Sequence, residues 1–299
     1  MSPALINAIV SIIMSFFTVL GSFIGWVESR PDTTVIQGFE QKEEDELRVM
    51  SFNIRCLNVG TASWKDRIGL VSETMLNSDA DSIGVQEATP EWMETLNDSV
   101  SDKYAWIGVG RDDGDNEGEY SAIFYRKDKY EVVDSGTFWL SETPDEPSRG
   151  WDAACNRICT WAHLRNVETN EEYVHMNSHF DHVGTKARAN SVSLILEKAK
   201  EFGDVAVVFT ADMNVKEGSE NYLQFTESDF FYDTKHQAPD TMDYCTYHDT
   251  KPNLHQDSVI DYVMINDKFE ATSYKVVTDG IDGKFVSDHF PVYADILLK

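Results

Sequence analysis

The stretch VAVVFTADMN (Val205–Asn214) joins a run of strand-forming residues to an acid and an amide. Val207, Val208 and Phe209 make Val205–Ala211 a strand candidate. Asp212 and Asn214 then fall where that strand stops, and ligands gather where strands give way to loops. The pattern recurs on both sides. Tyr173–Ser178 reads as a strand that runs into His179, with Asp181 and His182 just beyond. Between the two, Thr185–Phe202 places Val192, Ile195, Leu196 and Ala199 at helical spacing. Further on, Val259–Ile265 carries Asp261 inside a strand, and Ser287-Asp288-His289 precedes the strand Val292–Leu297. Towards the N-terminus, Leu47–Ile54 contains Asn53, and Ser82–Gln86 stops at Glu87.

Other strand candidates are Tyr104–Val109, Ser121–Tyr125, Tyr130–Trp139, Arg157–Arg165 and Ser273–Val277. A helix is expected over Trp64–Asn77, with Ile68, Val71 and Met75 on one face. A third opens at Thr89-Pro90, a capping hydroxyl followed by proline in the first turn. These elements favour an α/β or α+β domain with sheets inside and helices outside.

Taken singly, an Asp or Asn after a strand is usually a turn residue. The chemical type of the whole set says more. Carboxylates and amides are hard oxygen ligands suited to Mg²⁺, Mn²⁺ or Ca²⁺. Histidines and an amide can hydrogen-bond phosphate oxygens, and an acid can orient water. Together these are the parts of metal-assisted phosphoester hydrolysis.

The 299 residues contain 52 acids against 25 Lys and Arg, a formal charge of −27. A protein that coats long nucleic acid through phosphate contacts collects basic residues instead. The composition, 41% hydrophobic and 26% charged, is that of a globular chain with material for a substantial core. Residues 4–27 hold no charged side chain and are long enough to cross a bilayer, which takes about 20 residues. A cleaved signal peptide and a retained membrane anchor both fit residues 1–27, and either makes the domain extracytoplasmic, secreted or membrane-anchored. The acid-rich stretch 28–46 reads as a linker, with the folded domain, 47–299, starting near Leu47. Cys155, Cys159 and His163 lie four apart, but Arg157–Leu164 reads better as a strand and no second pair of ligands lies nearby, which disfavours structural zinc. The acidic run Arg111–Glu119 lacks the spacing of a calcium loop and reads as a solvated loop.

The ordered motifs Ser51–Asn53 (SFN), Gln86–Glu87 (QE), Asn177–His179 (NSH), Ala211–Asn214 (ADMN), Ile260–Tyr262 (IDY) and Ser287–Pro291 (SDHFP) resemble the endonuclease/exonuclease/phosphatase superfamily. The middle runs GTFWLSETP (Gly136–Pro144) and GWDAA (Gly150–Ala154) are similar to a mainly bacterial branch distantly related to the nocturnin-like deadenylases. The resemblance implies a DNase-like, four-layer α/β sandwich: two packed mixed β-sheets flanked by helices. It implies Glu87 as the main Mg²⁺ ligand (Mn²⁺ being an alternative), with Asn53 and Asp288 at the metal. It also implies that His179 contacts phosphate, that Asp212 orients or deprotonates water beside Asn214, and that His289 is fixed by Asp261. Arg55, Trp64, Arg67, Trp151, Asn156, Arg157 and Arg188 are candidate substrate contacts, since guanidinium suits phosphate and indole suits stacking.

The expected activity is that of a Mg²⁺-dependent phosphoesterase, nuclease-like first, as a 3′-5′ exonuclease or related phosphodiesterase. The alternative is a phosphatase or phospholipase C-type enzyme acting on inositol phosphate or sphingomyelin. Its partners would be a short nucleic acid, a nucleotide, or a phosphorylated small molecule or lipid, with a membrane contact possible through residues 4–27. A catalytically silent binding module on the same fold should have lost Glu87, Asp212 or His289, and all three are present.

Overall fold

The computed structural model describes residues 39–278 and 284–299. The apolar segment 1–27 and most of the acidic stretch 28–46 lie outside the described residues. Among the described residues no helix is long and apolar enough to cross a membrane.

Two mixed sheets form the centre. The first contains β1 (Leu47–Asn53), β2 (Ser82–Ala88), β3 (Tyr104–Ile107), β4 (Tyr120–Arg126), β10 (Asp240–Thr241), β12 (Phe269–Val276) and β13 (Val292–Leu298). Its order is β10-β12-β13-β1-β2-β4-β3, with β1 parallel to β2 and antiparallel to β13. The second contains β5 (Tyr130–Trp139), β6 (Ile158–Asn166), β7 (Glu172–His179), β8 (Ala206–Asp212), β9 (Tyr232–Asp233) and β11 (Asp261–Ile265). Its order is β5-β6-β7-β8-β11-β9, with β7 and β8 parallel and β11 antiparallel to β8.

Period-two alternation sorts the side chains into layers. In β1, Met50 and Phe52 face the helices α1 (Trp64–Asn77) and α2 (Pro90–Val100), while Val49 faces the other sheet. In β6, Ala162 and Leu164 enter the core between the sheets, while Cys159 and Trp161 pack on the side of α3 (Thr185–Glu201) and α4 (Glu220–Thr226). The order is therefore helices, sheet, sheet, helices, the four-layer arrangement expected. The sequence reading missed α4, the one-turn α5 (Thr234–Gln237) and the two-residue strands β9 and β10. Segments this short carry too few residues to show a period.

The helix starts follow local chemistry. Ser63 caps α1, accepting from the Asp66 N–H while the Asp66 carboxylate accepts from the Ser63 N–H, a capping box. Thr89 caps α2 ahead of Pro90, as expected.

Residues 39–46, inside the stretch expected to be a linker, lie against the domain. The reason is Arg48 in β1, which is 1% exposed. Its guanidinium makes a two-pronged pair with Asp295 at 2.7 and 2.8 Å and donates to the carbonyls of Ser78 and Glu40. A buried guanidinium needs every donor matched, and Glu40 supplies one acceptor. Phe39 then packs against Tyr293, the two rings tilted with centres 5.5 Å apart.

Polar groups line the space between the sheets beneath one end of the sandwich. His175 is held between Ser82 Oγ and Thr210 Oγ1, each at 2.8 Å, and burial pushes it down to about 3, so it stays neutral. Gln86 donates to Asn177 Oδ1 (2.7 Å), and Asn177 donates to the carbonyls of Val85 and Ala122. The sheets touch at Gly84, where a Cβ would overlap Thr210 Oγ1. Only glycine allows that approach. This layer joins the strands whose ends carry the polar residues of interest.

Candidate active site

Four strand ends meet at one edge of the sandwich. Asn53 ends β1, His179 ends β7, Asp212 ends β8, and Asp261 opens β11 opposite Asp212 in register. Glu87 comes from an irregularity in β2, where pairing with β4 shifts between Val85 and Ala88. Its φ is +62°, a strained value for a residue with a side chain. The bulge turns the carboxylate away from the strand's alternation and into the cluster. Asp288 and His289 arrive on the loop before β13.

Asp212 is the hub. Its Oδ2 accepts from Asn53 Nδ2 at 2.8 Å and lies 3.4 Å from His179 Nε2 and 3.8 Å from His289 Nε2. Its Oδ1 accepts from the Asn214 N–H at 2.9 Å. Glu87 accepts from Asn53 Nδ2 (3.0 Å) and from the Cys56 N–H (3.1 Å). His289 Nδ1 bonds Asp261 Oδ2 at 2.9 Å, so its Nε2 faces Asp212. Asn214, at φ +47°, directs its amide to His179 Nε2 and the Phe180 carbonyl, each at 3.0 Å. The Arg55 guanidinium stands 3.7 Å from Glu87 and 3.5 Å from Asp288 and is 37% exposed at the side chain.

The charge states follow from this packing. Burial raises Asp212, and the neighbouring Asp261 carboxylate raises it further. Burial acts to lower His289, but the carboxylates of Asp261 and Asp212 outweigh it and raise the imidazole to about 10. Burial, with Arg157 and Arg111 nearby, holds His179 well below its usual value, hence neutral. Glu87 is lowered although burial opposes this, because the Cys56 N–H, His289 and Arg55 favour its anion. Asp288 is raised, chiefly by burial.

The donor set fits a divalent, oxygen-seeking cation. One oxygen or nitrogen each from Glu87, His179 and Asp212 lie within 4.8 Å of one another, as do those of Asp212, Asp261 and His289. Three carboxylates (Glu87, Asp212 and Asp288) crowd together with Arg55 and His289 as counter-charge. Hard oxygens at this density suit such an ion.

Among the candidate substrate contacts the structure separates two groups. Arg55 and Arg157 reach the site. Arg67 does not: it is fully buried and donates to the carbonyls of Ile54, Arg55, Leu57 and Val286. That expectation is corrected, since four carbonyls occupy the guanidinium as an anchor of the loop after β1. Trp64 packs on Trp92 with ring centres 5.4 Å apart, as part of the helix layer. Arg188 donates to the Asp181 carbonyl, and Asn156 to the Arg111 carbonyl. Trp151 is half-buried at φ +49°, with its N–H on Glu142. Asp181 accepts the N–H groups of Ala154, Val183 and Gly184, which fix the loop after β7, and His182 Nδ1 meets Arg157.

Sequence reading missed Arg111 and Glu119. Both were placed in a solvated acidic loop, yet their side chains are 15% and 22% exposed and paired at 2.6 Å at the edge of the site. The middle of that loop is exposed, as expected.

A family model described as the endonuclease/exonuclease/phosphatase family matches residues 50–289. The chain belongs to the endonuclease/exonuclease/phosphatase family. Family members are phosphoesterases, and the present chain has their fold and a cluster of acidic and histidine residues that could hold a metal. It is similar to a family protein from Bacteroides vulgatus, with 37% identity over 85% of this chain and 99% of that one, and a TM-score of 0.81. It is similar to a mannosyl-6-phosphatase of Bacteroides thetaiotaomicron, with 35% identity over 84% of this chain and 100% of that one, and a TM-score of 0.79. The human nocturnin catalytic domain shares the fold at 17% identity, over 87% of this chain and 97% of that one, with a TM-score of 0.68. No curated protein matches the chain.

Proposed function

We propose that this protein is a divalent-metal-dependent phosphoesterase acting on a phosphorylated carbohydrate or similarly small polar molecule. The observation that carries the reading is the convergence of Glu87, Asp212 and His289, with Asp261 behind the imidazole. Two further facts support the substrate class. The charge of −27 disfavours long polyanions, and a relative at 35% identity is named as a mannosyl-6-phosphatase. The nuclease-like activity expected first therefore becomes second, since nocturnin's likeness concerns the fold alone.

In this reading Glu87 and Asp288 would hold Mg²⁺ or Mn²⁺, and Asn53 is a positioning residue whose amide aligns Glu87 with Asp212. The cation would polarise the phosphoryl group and offset the charge that builds on it. Asp212, raised by burial, accepts the proton of the attacking water. His289, kept cationic by Asp261, stabilises the developing oxyanion. His179 contacts phosphate, and Asn214 fixes both His179 and Asp212. The charge-free run 4–27 supports a site of action outside the cytosol or at a membrane.

The test is phosphate release from mannose 6-phosphate, glucose 6-phosphate and inositol phosphate, set against nucleotide release from short RNA and DNA. Sugar phosphates are expected to be the best substrates, with EDTA abolishing turnover and Mg²⁺ restoring it. Faster cleavage of RNA or DNA would return the nuclease reading to first place, and no turnover of any ester would leave a binding module.

A further inference from the structure

A second recognition element adjoins the carboxylate cluster and rests on the phosphoesterase reading above. A small cavity lies between the sheets where β4 faces the start of β6 and the end of β7. Its walls include Arg111, Glu119, Ser121, Arg157, Ile158 and His179, and it has room for little more than one water-sized atom. Two guanidiniums converge there. Arg157 is 5% exposed, yet its Nε and Nη1 have no hydrogen-bond partner among the described residues. Its Nη2 is used by His182 Nδ1 at 3.1 Å, and the Asp181 carboxylate stands 3.5 Å from Nε, outside hydrogen-bond geometry. Arg111 Nη1 is paired with Glu119, but its buried Nε is unpartnered. His179 Nδ1 is likewise buried and unpartnered.

Charged donors left unmatched inside a protein carry the full cost of their lost hydration. Several in one cavity point to an anion that completes them. The cavity shares His179 with the cluster, for the Nε2 of the same ring lies 3.4 Å from Asp212. A phosphate whose ester bond faces Asp212 and His289 can therefore direct another oxygen into it.

We infer that Arg157 and Arg111 form a clamp for a non-esterified phosphate oxygen and so make the enzyme selective for phosphomonoesters over phosphodiesters. Two features set the preference. A monoester dianion offers an oxygen and a second charge to the guanidiniums. A diester presents a carbon substituent at one of those positions, so the guanidiniums there would meet an uncharged group in place of an anionic oxygen.

The experiment compares wild type with Arg157→Gln and Arg111→Gln. Two readouts are taken: the affinity for inorganic phosphate by calorimetry, and kcat/KM on p-nitrophenyl phosphate relative to bis-p-nitrophenyl phosphate. Each variant is expected to bind phosphate about tenfold more weakly or worse, and to lower the monoester-to-diester ratio by at least about tenfold, the scale of one charged hydrogen bond. Among the described residues Glu119 is the one side chain that holds Arg111, so its variant decides the matter if Arg157→Gln fails to fold. Folded variants with wild-type phosphate affinity and an unchanged ratio overturn the clamp. If the wild type hydrolyses neither these esters nor a sugar phosphate, the phosphoesterase reading falls and the ester selectivity with it, while loss of phosphate affinity in the variants still upholds the two arginines as an anion clamp.

Discussion

Glu87→Gln is expected to lower kcat by at least about 10³-fold while the protein still folds. The residue is 7% exposed and sits at a strained φ of +62°, on the bulge of β2. Strain of this kind costs on the order of 1–3 kcal/mol and persists where the surroundings enforce it. Here the enforcement comes from Asn53 and the Cys56 N–H, both of which bond the carboxylate. Glutamine keeps the shape and can keep one of those bonds, so the melting temperature should change little. What it loses is the negative charge that faces Arg55 and that would hold a divalent ion. Activity and the calorimetric affinity for Mn²⁺ should therefore fall together. A variant that turns over and binds Mn²⁺ like the parent would remove Glu87 from the site.

His289→Ala is expected to cost about 10³-fold in kcat, and Asp261→Asn about 10²-fold, on the scale of losing one preorganised donor and one orienting partner. The double variant should be no slower than His289→Ala alone. Asp261 lies behind the ring and acts through the 2.9 Å bond to Nδ1, so once the imidazole is gone it has nothing to position. Residues that act as a unit are non-additive in this way. Multiplicative effects across the cycle would mean that Asp261 works independently, for example by tuning Asp212, whose carboxyl it also raises.

The site was largely legible because its residues are of types that strands do not otherwise end on in such number. Asn53, Glu87, His179, Asp212 and Asp261 each close or open a strand or its bulge, and parallel pairing of β1 with β2 and of β7 with β8 brings those ends to one edge. The arginines were less legible. A guanidinium serves phosphate and backbone carbonyls equally well, so Arg67, which anchors a loop, could not be told from Arg157, which reaches the site. Arg111 and Glu119 were hidden at the two ends of an acidic run whose middle is solvated, and only the turn of that loop brings them together. Nothing in the local sequence marks Arg48. Its pairing with Asp295, far along the chain, is what recruits Glu40 and holds residues 39–46.

The central claim is that oxygen donors from separate strand ends grip one cation beside the reacting phosphate. The anomalous-difference map of a crystal grown with Mn²⁺ tests it most directly. The account predicts a peak at coordination distance from the Glu87 carboxylate, with Asp288 beside it. A peak at Cys155, Asp181 and His182 with none at Glu87 would contradict it.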